Sequence, residues 1–180
     1  MRKRLLAQIS AHQKLGTAVM FEDVDSELKQ RIDSLIKALE DRITEVIARD
    51  DHLSEISTVL RSIPGIGPVA STMLIAEMPE IGTVTGEEAA ALTGLAPVAH
   101  DSETLRGKRA IAGGRRALRH VMFQAALVAA HQNPSLKSFA DRLRKAGKPR
   151  KVIITAVARK LVTIANALCK KRQRWALTTA

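Results

Sequence analysis

Apolar residues recur at helical spacing between residues 26 and 49, and this repeat constrains the fold more than any other feature of the sequence. The positions, three or four residues apart, are Leu28, Ile32, Leu35, Leu39, Ile43 and Val46. Such spacing places the side chains on one face of an α-helix. We predict a coiled-coil-like helical stalk that starts with Asp25 or Ser26 as its cap. Self-association and packing against the same chain both satisfy the pattern.

The core must be built almost without aromatic residues. Apolar residues make up 46% of the 180 residues, but aromatic residues make up only 2%. Strands favour aromatic and β-branched side chains, whereas Ala and Leu are strong helix formers. We therefore predict an all-α fold, with a stalk region over residues 1–62 and a helical domain over residues 63–180.

A glycine-rich turn joins two of the predicted helices. In the run IPGIGPVAS, Pro64, Gly65 and Gly67 favour a tight turn, and Pro68 suits the first turn of the next helix. The pattern resembles a helix-hairpin-helix, in which the turn amides contact a backbone phosphate of DNA. On that basis, Gly65 and Gly67 are candidate DNA-contacting residues. A plain connection between two helices is the alternative.

Positive charge is concentrated in the second part of the chain. Residues 1–99 hold 10 Lys/Arg and 15 Asp/Glu, a net charge of −5, whereas residues 100–180 hold 19 and 3, a net charge of +16. A basic region of this size indicates a polyanionic partner. The sequence shows no signal peptide or long apolar span, so we expect nucleic acid and no membrane. The single cysteine, Cys169, indicates a small buried side chain and a cytoplasmic protein.

The segment from Pro97 to Arg119 combines a hydroxyl group with a cluster of cations. Ser102 is the candidate nucleophile. The cations suited to gripping phosphate oxygens are Arg106, Lys108, Arg109, Arg115, Arg116 and Arg119. A serine that only caps a loop is the more common alternative. The histidines lack zinc-ligand spacing and no P-loop motif occurs, so we expect no metal site in this chain.

Several motifs in order resemble one known family. They are IPGIGPVAS, TGLAP, HDSETLRGKRAIAGGRRALRHVMFQAALVA, NPSLKSFADRLRKAGKP and KVIITAVARKLVTIANAL, followed by Trp175. Together they resemble the C-terminal transposase domain of the insertion-sequence-110 family, relatives of the Piv-type site-specific invertases. The resemblance implies that Ser102 is the nucleophile of DNA strand exchange. It also implies an N-terminal domain whose acidic residues bind Mg²⁺, and a structured guide RNA as a second partner beside DNA.

From this resemblance we expect the 180 residues to be the C-terminal portion of such a protein, as a truncated gene product or a deliberate fragment. We expect this portion alone to be inactive, to act at the nucleoid and to form a homo-oligomer through residues 26–49. The family commonly has glycine after the serine, where this chain has Glu103. A carboxylate there repels an incoming phosphate. A non-catalytic nucleic-acid-binding domain is therefore the alternative function.

Overall fold

The computed structural model describes residues 1–98, 101–102, 105–106 and 110–176. Over this part of the chain, helices form the core, which confirms the all-α prediction. The helices are α1 (Arg2–Lys14), α2 (Ala18–Arg49), α3 (Asp51–Arg61), α4 (Pro68–Glu77), α5 (Gly86–Leu92), α6 (Arg116–Gln132), α7 (Pro134–Lys145) and α8 (Arg150–Lys171). The sequence did not predict the four two-residue strands β1 (Pro97–Val98), β2 (Asp101–Ser102), β3 (Leu105–Arg106) and β4 (Ala110–Ile111).

The chain divides into two compact units, Met1–Arg49 and Asp50–Ala180. The boundary therefore lies before α3 and not at residue 62, where the sequence placed it. The reason is that α3 packs against α4 and α8, so it belongs to the second unit. Its start is fixed locally, because the Asp50 side chain accepts a 2.9 Å hydrogen bond from the Leu53 amide.

The first unit is a pair of helices, α1 and α2. The predicted start of α2 at residue 26 was wrong, because the helix begins eight residues earlier, at Ala18. Asp25 does not cap it. The residue is only 6% exposed, and its carboxylate lies 2.7 Å from Nδ1 of His12 on α1. The predicted stripe is helical, as expected, and it remains exposed, with Leu35 61% and Leu39 59% accessible.

The second unit is built around α8, which packs against α3, α5, α6 and α7. Its buried side chains include Val157, Leu161 and Ala165. By length and composition α8 could cross a membrane, although the sequence was expected to contain no long apolar span. In this structure α8 is the central core helix. Cys169 near its end is buried as predicted, and burial raises the pKa of its thiol to about 11.

A buried asparagine ties α8 to the loop between α4 and α5. Asn166 accepts a 2.8 Å hydrogen bond from the Gly82 amide and donates a 2.8 Å bond to the Val84 carbonyl. Both backbone groups would otherwise lack a partner in an apolar setting, which is costly. The loop therefore has a fixed position on α8 and leads into α5, where Thr85 and Glu88 form a capping box.

The turn between α3 and α4 places one of its glycines against the core. Gly65 has φ +107°, and a Cβ there would lie 2.8 Å from Cα and 2.9 Å from the backbone nitrogen of Ala129 on α6. Gly67, the residue before α4, has φ −85° and open space where a Cβ would stand. Only Gly65 is therefore required by conformation and packing.

We predict that Gly65→Ala lowers the free energy of unfolding by about 2 to 5 kcal/mol, from positive-φ strain and overlap with α6. Gly67→Ala is the matched control and should change it by less than about 1 kcal/mol, since its backbone suits alanine. Urea unfolding followed by circular dichroism measures both. Equal stability of the two variants would contradict the close approach at Gly65.

Candidate nucleic-acid interface

Ser102 lies in a segment of paired strands that leaves the helical core between α5 and α6. Strand β1 pairs with β4, with Pro97 opposite Ile111. Strand β2 pairs with β3, with Asp101 opposite Arg106 and Ser102 opposite Leu105. Both pairs are antiparallel, and we call residues 97–111, whose described parts form these two pairs, the Ser102 hairpin. Ser102 belongs to the pair furthest along it, and Arg106 follows its partner on the facing strand.

Two glycines bring the ends of α5 and α6 into backbone contact at the base of the Ser102 hairpin. A Cβ at Gly114 would lie 2.5 Å from Cα of Gly94, and a Cβ at Gly94 would overlap the Gly113 carbonyl. Both residues also have positive φ, +65° and +68°. The sequence did not predict this contact. The structure shows that Gly114 is needed for a close approach that any side chain would block.

Arg119 fastens this glycine contact. Its guanidinium donates to the Gly113 carbonyl at 2.8 Å and to the Gly94 carbonyl at 3.4 Å. The backbone amide of Arg115 donates to the Leu92 carbonyl at 2.9 Å, which joins the end of α5 to the start of α6. Because Arg119 is half-buried and bonded to backbone carbonyls, its main role here is to position the hairpin.

Arg115, another predicted phosphate contact, is engaged by a carboxylate. Its two terminal nitrogens donate to Glu80, at 3.1 Å and 2.7 Å, in a bidentate ion pair. The hydrogen bond from Arg115 lowers the pKa of Glu80, and the same bond raises the pKa of Arg115. The sequence did not predict this pair, because Glu80 and Arg115 are 35 residues apart and only folding brings them together.

The structure describes the other predicted site residues to different extents. Arg116, the first residue of α6, is exposed and makes no ion pair with another described residue. Ser102 and Arg106 are placed by backbone pairing alone. Lys108 and Arg109 lie outside the described residues. Of the predicted cations whose side chains the structure describes, Arg115 and Arg119 are used for structure and Arg116 is exposed.

The predicted glycine turn contributes one exposed residue. Gly65 is packed on α6, whereas Gly67 and the start of α4 are exposed. Amides in the first turn of a helix have no partner within the helix. Of the two glycines predicted to contact DNA, Gly67 is therefore the accessible one.

No group of three or more His, Cys, Asp or Glu side chains that could hold a metal ion occurs in the part of the chain that the structure describes. Glu80 is committed to Arg115, and Glu88 is committed to the cap of α5. The residues present therefore do not fit the Mg²⁺ site that the family resemblance implies.

We predict that Glu80→Gln loosens the base of the Ser102 hairpin. The lowered pKa of Glu80 means that the pair stabilises the fold above the ordinary glutamate pKa of about 4.3 and is lost as pH falls through the lower value. In the parent, amide exchange at Gly113–Arg115, corrected for its intrinsic pH dependence, should rise severalfold on acidification. In Glu80→Gln it should already be raised at pH 7. The exposed Glu87→Gln is the control, and identical exchange in both variants would contradict the anchoring role.

Comparisons with known proteins find similar sequences. Residues 57–141 match the family model described as Transposase IS116/IS110/IS902 family. Pilin gene-inverting proteins of Moraxella bovis and Moraxella lacunata are each 27% identical over 175 residues, which cover 95% of this chain and 54% of each relative. An uncharacterized 43.6 kDa protein of insertion element IS110 from Streptomyces coelicolor is 29% identical over 137 residues, which cover 74% of this chain and 33% of that protein.

The chain thus spans about half the length of the Moraxella relatives that it matches. The matched residues 57–141 include the glycine turn, the Ser102 hairpin, its anchors at Gly94 and Glu80, and all of α6. Residues 57–141 of the chain are therefore similar to the transposase domain of the IS116/IS110/IS902 family.

Proposed function

We propose that this chain is the DNA-contacting part of a serine-dependent recombinase and that Ser102 is its nucleophile. The family supports a role in DNA recombination. One observation carries the residue assignment. Ser102 stands in a hairpin that leaves the core at a fixed point, held by the glycine contact, Arg119 and the Glu80–Arg115 pair. A nucleophile on a short paired segment with a rigid base meets the requirement for a positioned reacting group.

The reaction that follows is a transesterification. The Ser102 hydroxyl oxygen attacks the phosphorus of a DNA phosphodiester, and its proton passes to a base. A bond between phosphorus and the adjoining sugar oxygen breaks, and that oxygen takes up a proton. The product is a phosphoserine ester, which a sugar hydroxyl of the second strand can attack to rejoin DNA. Guanidinium groups stabilise the charge on the phosphoryl oxygens in both steps.

The proposed DNA contacts are the cations that the fold does not use for positioning. They are Arg106, Lys108 and Arg109 of the Ser102 hairpin, and exposed Arg116 at the start of α6. The exposed amides at Gly67 and the start of α4 form a second, weaker backbone contact, as in a helix-hairpin-helix. A guide RNA uses the same kind of contact, because its phosphates carry the same charge.

Mg²⁺ supplies charge stabilisation at the phosphate in the family chemistry that the resemblance implies. The described residues form no group that could hold it, and the resemblance assigns the metal-binding carboxylates to the N-terminal domain of the family. The residues of this chain bind the DNA, orient Ser102 and stabilise the phosphoryl charge. We place this activity in the cytoplasm, at the DNA.

A non-catalytic nucleic-acid-binding domain is the alternative function. Glu103, next to Ser102, favours it, because a carboxylate beside the nucleophile repels the phosphate. Both functions require the same exposed cations, so binding alone does not separate them. They differ in whether a covalent bond forms at Ser102.

We predict a covalent adduct between this chain and DNA through Ser102. The assay uses supercoiled DNA with the element's junction, Mg²⁺ and a complete family recombinase whose own matching serine is replaced by alanine, which supplies the metal-binding part. Any adduct on a denaturing gel then comes from Ser102 of this chain. Ser102→Ala should abolish it, and Glu103→Gly should increase it. Binding without an adduct in every variant would leave the non-catalytic function as correct.

DNA binding by the same samples is the control for folding and access. Ser102→Ala should bind as the parent does. Affinity should fall with salt at a slope of about −0.9 per neutralised phosphate, so about five contacts give a loss of roughly 500-fold between about 50 and 200 mM salt. Binding that does not respond to salt would contradict the proposed cation contacts.

We further propose that the chain forms a homodimer through α2. The predicted stripe on this helix is exposed over residues 28–46, and large exposed apolar faces are typical of interaction sites. The spacing of the stripe suits pairing with a second copy of the same helix. Oligomerisation would cover leucines that otherwise face water.

We predict that Leu39→Glu splits this dimer. Burial of one leucine contributes about 1.5 to 3 kcal/mol and a symmetric interface loses two copies, so association should weaken by at least about 100-fold. Ser34→Glu adds the same charge to an exposed position away from the stripe and is the matched control. Sedimentation equilibrium measures the mass of each. A parent chain that is monomeric at tens of micromolar would refute the dimer.

A further inference from the structure

An open groove lies between the base of the Ser102 hairpin and the first half of α8, away from the cations that the proposed function assigns to DNA. It has a volume of about 490 Å³, and its lining is mostly apolar. Leu95, Pro97 and Ile111 form one wall. The other wall is a single face of α8, formed by Lys151, Val152, Thr155, Ala156 and Arg159. We call it the α8 groove.

The geometry points to the α8 groove as a binding site for a single strand of DNA, with deoxyribose groups on the apolar walls and phosphates on Lys151 and Arg159. This inference rests on the proposed function, because it assigns a path to the strand that Ser102 attacks. The α8 groove is a further DNA-binding site beside the Ser102 hairpin and α6.

Charge selects the class of occupant. Lys151 and Arg159 are exposed, and neither forms an ion pair with another described residue. No acidic residue is among the described residues that line the groove. An apolar cleft flanked by two cations complements a ligand that is anionic at its edges and apolar between them. A nucleic-acid strand has this pattern, since phosphates flank each sugar.

Spacing supports a strand of a few nucleotides. Lys151 and Arg159 are eight residues apart on one helix, which corresponds to about 12 Å along its axis. At about 3.4 Å per nucleotide in a stacked strand, this distance covers three to four nucleotides. The volume of the groove lies in the range of small-molecule sites, so the groove is too small to enclose a duplex. One strand therefore fits between the two cations.

The walls favour DNA over RNA. Val152 is 51% exposed, and the groove wall opposite it is also apolar. These apolar side chains therefore do not hold a layer of bound water. The deoxyribose edge lacks the 2′-hydroxyl group that distinguishes RNA. Burial of a ribose hydroxyl against these walls would cost its hydration unless Thr155 replaced it. The deoxyribose strand loses no such hydrogen bond.

The position of the groove connects it with the proposed nucleophile. Pro97 belongs both to the groove wall and to the first strand of the Ser102 hairpin. Ser102 is the fifth residue after Pro97, so their Cα atoms are at most about 18 Å apart. A strand seated in the groove thus passes within about five nucleotides of Ser102. The groove holds the DNA next to the bond that is attacked.

The test measures binding of fluorescent 12-nucleotide dU and rU oligonucleotides, which differ only in the 2′-hydroxyl group, by anisotropy. In the full chain, Lys151→Gln combined with Arg159→Gln should lower the salt slope for dU by about 1.4, which is about 25-fold weaker binding at 0.1 M salt if affinities are equal at 1 M. Lys137→Gln combined with Lys171→Gln removes two exposed charges elsewhere in the same unit and should leave the slope within about 0.3.

Ala156→Leu separates the groove from its charged rim, because it fills the apolar walls without a change in charge. It should weaken dU binding severalfold and remove the preference of the parent for dU over rU. An unchanged affinity would overturn the groove, and an equal or greater affinity of the parent for rU would overturn the assignment to DNA. If Ala156→Leu does not fold, as circular dichroism would show, the two charge variants still decide.

Failure of this inference is distinguishable from failure of the proposed function. A parent that binds neither oligonucleotide nor duplex DNA would overturn both. If Arg116→Gln weakens DNA binding while the groove variants behave as the parent does, the proposed function stands and the groove inference is wrong.

Discussion

The backbone contact between Gly94 and Gly114 is the constraint on which the candidate site depends. It joins the end of α5 to the start of α6 at a distance that permits no side chain on either residue. The Ser102 hairpin lies between these two glycines in the sequence, so their contact holds close together the two chain segments that enter and leave it. Arg119 reinforces the contact through both carbonyls. A short paired segment without a core of its own obtains a fixed direction in this way.

The basic part of the chain uses some of its charge to build the site and leaves the rest for a ligand. Arg115 is neutralised by Glu80, and Arg119 is bonded to carbonyls, so neither is as available to a phosphate as its position in the sequence suggests. Exposed cations such as Arg116, Lys151 and Arg159 are available. The net charge of residues 100–180 therefore overstates the number of phosphate contacts, and the salt slope measures the true number.

Local signals made the helices predictable, whereas contacts between distant residues were not. The apolar spacing, Pro68 at the start of α4 and the Thr85–Glu88 cap each act within one or two turns of helix. The predicted cap at Asp25 failed because its side chain binds His12 on another helix. The strand pairing at Ser102 and the Glu80–Arg115 pair also depend on the folded chain. The family resemblance makes Ser102 the candidate nucleophile, but it does not predict the contacts that hold the base of its hairpin.

Helix α8 contacts the loop that contains Gly82 and Val84, and it also forms a wall of the α8 groove. Near its C-terminal end, Asn166 of α8 fixes the loop that follows Glu80 by binding Gly82 and Val84. Glu80 in turn holds Arg115 at the base of the hairpin. The N-terminal half of α8 forms a wall of the α8 groove. The positions of the hairpin and of the groove are thus both fixed by α8. A strand bound in the groove is therefore held at a defined position relative to the hairpin.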